Sequence, residues 1–236
     1  MLKQDLIQKN PIRALEPETG HNTIPHRLGL VIARKGGGKT ALLVQVALDH
    51  LLRGNRVAHV SIGQDLDRAK VWYEDIFREV STRYRLDRGT EVHDEIARLR
   101  MIMTFQATSF SVPKLEERLG NLIAQNIFRP ECLVIDGYDF GTASREQVQE
   151  LLAFTKANGI HTWCSAVRHR DNPRVSALGV PAPCDGFEDL FDTILLIDPD
   201  EGKGHTLRTL KYDVPGVERR PDLHLDPTTF LVRVPA

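Results

Sequence analysis

The stretch LGLVIARKGGGKTALLVQVAL, residues 28–48, decides the fold that the rest of the chain must join. It opens with an apolar run at 28–32 that contains β-branched residues, which is typical of a buried strand. Residues 36–38 are three glycines, and they interrupt regular structure. Apolar residues then return at the spacing of one helix face, at Leu42, Leu43, Val46 and Ala47. The stretch therefore predicts a strand, a glycine loop and a helix.

The glycine loop has the composition of a phosphate-binding loop. Residues 33–40, ARKGGGKT, match the pattern G-x-x-x-x-G-K-[ST] except at the first glycine, which is Ala33. Glycines bring consecutive N–H groups to phosphate oxygens, and the following helix presents the positive end of its dipole. Lys39 is expected to reach the β- and γ-phosphates, and the Thr40 hydroxyl to hold Mg²⁺. The predicted nucleotide-binding residues are Arg34, Lys35, Gly36, Gly37, Gly38, Lys39, Thr40 and Ala41; the alternative is a glycine-rich turn without a ligand.

Length, charge and cysteine content narrow the class of protein. The 236 residues suit one α/β domain with a full core, and a formal net charge of −1 gives no overall basic field for nucleic acid. The three cysteines are widely spaced without a C-x-x-C pair, which argues against a zinc site or a disulfide framework. No signal peptide or membrane-spanning run is recognisable. We therefore expect a cytoplasmic protein without membrane insertion.

Strands and helices alternate along most of the chain. Residues 1–26 are predicted to form a lead-in helix and a linker, and residues 27–236 a single domain. The continuous apolar run at 132–136 is typical of a strand buried on both faces of a parallel sheet. Residues 205–212 and 229–234 are predicted to be antiparallel edge strands. The pattern predicts a three-layer α/β/α fold whose sheet is mostly parallel and doubly wound.

The carboxyl edge of this sheet is the expected place of a functional site. Ligands of doubly wound sheets gather where the parallel strands end. The prediction puts the glycine loop, Gln64, Asp136 and Arg168 along that one edge. The candidate binding and catalytic residues are therefore expected to form one site.

The order of these motifs, over roughly residues 25–234, resembles that of the RecA/DnaB/KaiC group of P-loop ATPases. ARKGGGKT resembles the Walker A loop of that group, and LVIDGYD, which contains Asp136, resembles its Walker B strand. SIGQDLDR, residues 61–68, lies where the group has a serine-hydrophobic-glutamate motif, and LKYDVPGV, residues 210–217, resembles its finger hairpin. The resemblance implies binding of ATP and Mg²⁺, with Thr40 and Asp136 on the metal, and assembly into a homo-oligomer.

The positions that correspond to the group's water-activating and sensor residues differ in this chain. Gly63 stands where the glutamate is expected, with Gln64 and Asp65 beside it, and the sensor glutamine falls near Ala166 or Val167. Gln64 has two interpretations: it orients a water, as glutamines do in some phosphate-hydrolysing enzymes, or it is an ordinary polar loop residue.

Only one of the two finger residues is retained in this hairpin. Lys211 is retained and would reach the γ-phosphate of a neighbouring subunit, whereas Asp213 replaces the arginine. A lost general base typically costs about 10²–10⁴ in rate and a lost arginine finger about 10³–10⁵, while nucleotide binding survives such changes. We expect an ATP-binding, self-assembling regulatory or motor subunit with weak or partner-stimulated ATPase activity. Its catalytic candidates are Gln64, Asp65, Asp136 and Lys211.

Other functions remain alternatives. A nucleotide-binding scaffold would keep the loop without hydrolysis. A helicase-loader type of ATPase would bind DNA or RNA through the basic cluster Arg168, His169, Arg170 and Arg174, which is otherwise a solvated loop. A dimer of the ParA/MinD group is a minor alternative, since Arg34 has the offset of that group's second lysine. A small-molecule kinase would need an acceptor pocket that the sequence does not locate.

Overall fold

A mixed β-sheet is the centre of the computed structural model, which describes residues 1–15, 27–168, 172–200, 204–213 and 223–234. Its strands are β1 Leu28–Ala33, β2 Val57–Ile62, β3 Arg100–Phe105, β4 Cys132–Asp136, β5 His161–Val167, β6 Thr193–Asp200, β7 Gly204–Tyr212, β8 Leu223–Leu225 and β9 Val232–Arg233. They lie in the order β3-β2-β4-β5-β1-β6-β7-β8-β9. The first six in that order are parallel, and β7, β8 and β9 pair antiparallel. The predicted mostly parallel sheet with antiparallel C-terminal strands is confirmed.

Helices follow most of the parallel strands. They are α1 Lys3–Lys9, α2 Lys39–Leu52, α3 Leu66–Tyr84, α4 Gly89–Arg98, α5 Val112–Ala124 and α6 Arg145–Ala157, with 3₁₀ turns at Pro11–Ala14 and Glu188–Leu190. The sequence pair Ser144 and Gln147 predicts a capping box, and the structure has it at the start of α6. The Ser144 hydroxyl accepts the N–H of Gln147 at 3.3 Å, and the side-chain oxygen of Gln147 accepts the N–H of Ser144 at 2.9 Å. Such local signals fix where a helix begins.

Buried apolar side chains form two clusters, one on each face of the sheet. In β1, Val31 and Ala33 join the cluster that contains α2, α3 and α4, while Leu30 and Ile32 join the cluster that contains α5 and α6. This division follows from the alternation of side chains along a strand. The arrangement is α/β and is compatible with the predicted three layers.

The C-terminal strands differ most from the sequence-based expectation. β6 continues to Asp200, beyond the predicted end at residue 197. β8 is not predicted from the sequence, because three residues are too few to show a strand period. Several predicted features lie outside the described residues: the linker in residues 16–26, His169, Arg170 and residues 214–217 of the finger hairpin.

The predicted lead-in segment packs against the rest of the domain. Leu6, Ile12 and Leu15 are almost completely buried and belong to the same cluster as α2. The amino group of Met1 lies 3.1 Å from a carboxylate oxygen of Asp87. Residues 1–15 therefore contribute side chains to the core.

A buried carboxylate fixes this segment to α2. Asp49 has no exposed surface, and its oxygens lie 3.1 Å from the side-chain nitrogen of Asn10 and 3.3 Å from a guanidinium nitrogen of Arg13. Arg53, one turn further along α2, lies 3.0 Å from the same carboxylate. Two arginines from different segments thus share one buried negative charge.

His59 is a buried histidine in the centre of β2. Its Nδ1 lies 3.0 Å from the hydroxyl of Tyr73 on α3. Burial lowers the pKa of His59 from 6.5 to about 4; the negative charge of Asp136 opposes this shift, and the positive charge of Arg100 adds to it. The imidazole is therefore neutral in the folded protein at neutral pH.

We expect the free energy of unfolding to decrease as the pH falls from 6.5 towards 4. The folded state binds fewer protons at His59 than the unfolded state in this window, so stability present above pH 6.5 is lost on acidification. The loss between about pH 7 and about pH 5 should be about 2 kcal/mol. His59→Gln, which keeps a hydrogen-bond partner for Tyr73, should reduce the loss, as measured by urea unfolding at both pH values. An equal pH dependence in the two proteins would contradict this assignment.

Candidate functional site

The predicted glycine loop connects β1 to α2 in a conformation that requires glycine. Gly36 and Gly38 have φ of +78° and +88°, in the left-handed region. The N–H of Gly37 donates to the carbonyl of Arg34 at 3.0 Å and closes the turn. Leu42 is the residue whose N–H bonds to the carbonyl of Gly38, at 2.9 Å. The N–H groups of residues 39–41, which precede Leu42 in α2, have no partner within the helix, so they are available to an anion.

Lys39 places a cation directly over this loop. Its ammonium donates to the carbonyl of Arg34 at 3.0 Å and to that of Ala33 at 3.4 Å. Partial burial lowers the pKa of Lys39, and the charge of Asp136 opposes the shift. A half-buried ammonium beside free main-chain N–H groups attracts an anion from two directions.

Asp136 ends β4 and meets the start of α2. Its Oδ2 accepts the hydroxyl of Thr40 at 2.6 Å, although the two residues are 96 positions apart in the chain. Its Oδ1 accepts the hydroxyl of Ser165 on β5, also at 2.6 Å. Only 3% of Asp136 is exposed, and these two hydroxyls supply hydrogen-bond donors to its buried carboxylate. The structure brings together the two residues that the sequence predicts as metal ligands.

The chemistry of this pair fits a magnesium ion. Mg²⁺ prefers hard oxygen ligands and is usually held by one or two protein oxygens together with phosphate oxygens and water. Thr40 and Asp136 offer a hydroxyl and a carboxylate beside the glycine loop. They could hold the ion on the side that a bound phosphate would face.

A cavity of about 300 Å³ opens over the loop. Residues 35–41 form its floor, and Gln64 and Asp136 contribute to its walls, as predicted. Arg168 lies at the same sheet edge, since its N–H donates to the carbonyl of Ala33 at 2.9 Å. Six further residues line the cavity and are not among the candidates predicted from the sequence: Arg68, Trp72, Gly137, Ser165, Val167 and Phe230.

Two aromatic side chains line the cavity. The helical spacing of Trp72, Tyr73 and Phe77 favours core positions for all three, but only Tyr73 and Phe77 are buried there. Trp72 is half-buried and lies against Phe230, with ring centroids 6.2 Å apart and an angle of 82° between the rings. The cavity therefore has an aromatic wall, formed by Trp72 and Phe230, in addition to its polar groups.

Phe230 is held in an unusual backbone conformation. Its φ is +56°, which is uncommon for a bulky residue. The side chain of Gln45 on α2 donates to the carbonyl of Phe230 at 2.8 Å and accepts the N–H of Val232 at 2.8 Å. A Cβ on Gly38 would lie 3.2 Å from the Phe230 ring, so the ring packs directly on the glycine loop. The helix that follows the loop thus fixes the aromatic wall.

Two predicted catalytic residues occupy other positions. Asp65 caps α3, because its Oδ1 accepts the N–H of Arg68 at 2.8 Å, and it does not line the cavity. Lys211 on β7 donates to the carbonyl of Glu188 at 3.0 Å and lies 3.1 Å from Asp213. It is paired with Ile194 near the start of β6, away from the end of β1. Its predicted action on a neighbouring subunit stays a prediction.

The described arginines of the basic cluster contact carboxylates. Arg168 lies 3.2 Å from Asp198, which also contacts Arg208 at 2.8 Å. Arg174 forms an ion pair with Asp185. Each of these arginines therefore has a carboxylate beside it, which reduces the field available to nucleic acid.

Comparison with protein-family models gives no match for this chain, and comparison with curated proteins gives none either. The described helices include none that is both long and apolar enough to cross a bilayer. Within the same residues, no three His, Cys, Asp or Glu side chains are grouped as a metal site would need. The functional assignment must come from the geometry of the site.

Proposed function

We propose that this chain is a RecA-like P-loop protein that binds ATP with Mg²⁺ in the cavity over the glycine loop. The observation that carries the proposal is the contact between Thr40 and Asp136 beside Lys39 and the free N–H groups at the start of α2. Thr40 and Asp136 suit a magnesium ion, and Lys39 and the N–H groups suit the oxygens of a polyphosphate. Together they argue against the alternative, in which the loop is a glycine-rich turn that binds no ligand.

The phosphates would lie along residues 36–40. The main-chain N–H groups and the start of α2 would bind the phosphate oxygens, and Lys39 would exchange its carbonyl partners for the outer phosphates. Carbonyl oxygens are weaker partners for an ammonium than phosphate oxygens are, so this exchange favours binding. Mg²⁺, when bound, would neutralise charge between Asp136 and the phosphates.

The base would lie against the aromatic wall of the cavity. Trp72 and Phe230 contribute apolar surface there, and Arg68 also lines the cavity. Stacking on such side chains tolerates any base, which leaves selection of ATP to polar contacts. A site that combines phosphate donors with aromatic side chains fits a nucleotide better than it fits an inorganic anion.

We expect binding to be the main activity and hydrolysis to be slow. Gln64 lines the cavity and could orient a water. Among the described residues, Asp136 is the only carboxylate that lines the cavity. Asp136 is engaged by two hydroxyls, so it is poorly placed to take a proton from water. A regulatory or motor subunit whose turnover depends on a partner, such as a second copy that offers Lys211, fits this arrangement.

A calorimetric titration with ATP, with and without Mg²⁺, tests the proposal. We expect saturable binding that Mg²⁺ strengthens, and a parallel titration with inorganic triphosphate should show weaker binding. Absence of any Mg-ATP binding by a folded protein would refute the proposal and would favour a scaffold that uses the same loop for packing alone.

Phe230→Ala should weaken ATP binding about 10-fold and leave binding of inorganic triphosphate unchanged. Stacking of one base on an aromatic side chain is worth about 1–3 kcal/mol, and triphosphate has no base to stack. Both affinities can be measured by the same calorimetric titration. Equal weakening of the two ligands would instead show that the ring acts through its contact with Gly38.

A further inference from the structure

Ser165 contacts two groups at the end of β4: the carboxylate of Asp136 and the main-chain N–H of the next residue, Gly137. Its side chain is buried within β5, with 1% of the residue exposed. The hydroxyl donates to Oδ1 of Asp136 at 2.6 Å and accepts the N–H of Gly137 at 3.0 Å. One small side chain therefore controls both the carboxylate and the turn that follows it.

This hydroxyl leaves Asp136 few orientations. Thr40 occupies Oδ2 and Ser165 occupies Oδ1, so the carboxylate plane is fixed by one donor on each oxygen. When Thr40 turns its hydroxyl towards a metal ion, the contact with Ser165 is the one that remains. Buried carboxylates keep their orientation only where such donors hold them.

The turn at Gly137 cannot compensate for a change at Ser165. Gly137 has φ of +91°, and a Cβ built there would lie 2.6 Å from the carbonyl oxygen of Ile62. The backbone therefore passes too close to β2 to shift in that direction. Loss of the serine hydroxyl would leave the Gly137 N–H and one carboxylate oxygen without their partner.

We propose that Ser165 is a positioning residue that sets the orientation of Asp136 for the magnesium ion of the bound nucleotide. The inference rests on the proposed function, because it concerns the metal that accompanies ATP. Groups that orient metal ligands typically change metal affinity by about 10–100-fold when they are removed. Ser165 should therefore control the Mg²⁺ requirement of binding and leave the contacts of the phosphates with the loop unchanged.

The test is the Mg²⁺ dependence of ATP binding in Ser165→Ala and Ser165→Thr. We expect Ser165→Ala to need about 10-fold more Mg²⁺ for half-maximal stimulation of ATP binding, and to bind ATP in EDTA within about 2-fold of the natural protein. Ser165→Thr keeps the hydroxyl and should restore the natural Mg²⁺ dependence. Ser165→Cys, with a weaker donor of similar size, should fall between them and replaces the alanine variant if that variant fails to fold.

The outcomes separate this inference from the proposed function. An unchanged Mg²⁺ dependence in the alanine or cysteine variant would overturn the role of Ser165, provided that the natural protein binds Mg-ATP. Equal weakening of binding with Mg²⁺ and in EDTA would also overturn it, since that is the effect of general disruption. A natural protein that binds no ATP would refute the proposed function, and with it the basis of this role.

Discussion

Replacing Lys39 with alanine should lower the affinity for Mg-ATP by about 100-fold or more. The ammonium is half-buried over the glycine loop, where it would meet the outer phosphates of the nucleotide. Truncating one partner of a buried charge pair costs about 2–5 kcal/mol, and about 3 kcal/mol corresponds to a little more than 100-fold. Isothermal titration calorimetry on both proteins measures the change.

Lys35→Ala is the matched control for this experiment. Lys35 lies in the same loop and lines the same cavity, but its side chain is exposed. We expect less than about 5-fold weakening, because exposed charges interact weakly through solvent. Similar losses in the two variants would show that the loop attracts nucleotide by general positive charge, and no loss in either would refute the phosphate site. Thermal unfolding of both variants checks that the fold is intact.

Asp49→Ala should destabilise the protein by about 3 kcal/mol. The carboxylate is completely buried, and its removal would leave Arg13 and Arg53, each largely buried, without their shared counter-charge. Breaking a buried ion pair by removing one partner costs about 3–5 kcal/mol. In a chain of this size the melting temperature should fall by about 6–12 °C, which differential scanning calorimetry can measure.

Asp87→Ala provides the comparison for this loss. Asp87 also contacts the N-terminal segment, through the amino group of Met1, but its side chain is 62% exposed. Exposed ion pairs contribute about 0–1 kcal/mol, so its removal should change the melting temperature by about 4 °C or less. If the two variants lost equal stability, the buried carboxylate would not be what fixes the segment to α2.

The features that could be predicted from the sequence are those determined over a few neighbouring residues. The apolar run before the glycines gives β1, and the helical spacing after them gives α2. Ser144 and Gln147 mark the start of α6 because a capping box lies within one turn. Asp136 follows directly from its apolar strand. In each case the signal and the structure involve the same short segment.

The remaining site residues could not be predicted because their role depends on distant parts of the chain. Ser165 is one or two positions before the place where a sensor residue was expected, and strand alternation decides which side chain faces Asp136. Trp72 has the spacing of a core residue, and only the position of Phe230 shows that it lies at the cavity. Asp65 is near the predicted position in the sequence, but it is used to cap α3.

The contact of Gln45 with Phe230 and Val232 has a consequence for the order of folding. The bond to Val232 joins residues 187 positions apart, whereas the glycine loop and its helix are neighbours in sequence. Contacts between distant residues form late, because the entropy of closing the intervening chain must be overcome first. A refolding chain should therefore regain the contact of Gln45 with Val232 late, and the aromatic wall of the cavity is complete only once the C-terminal strands have joined the sheet.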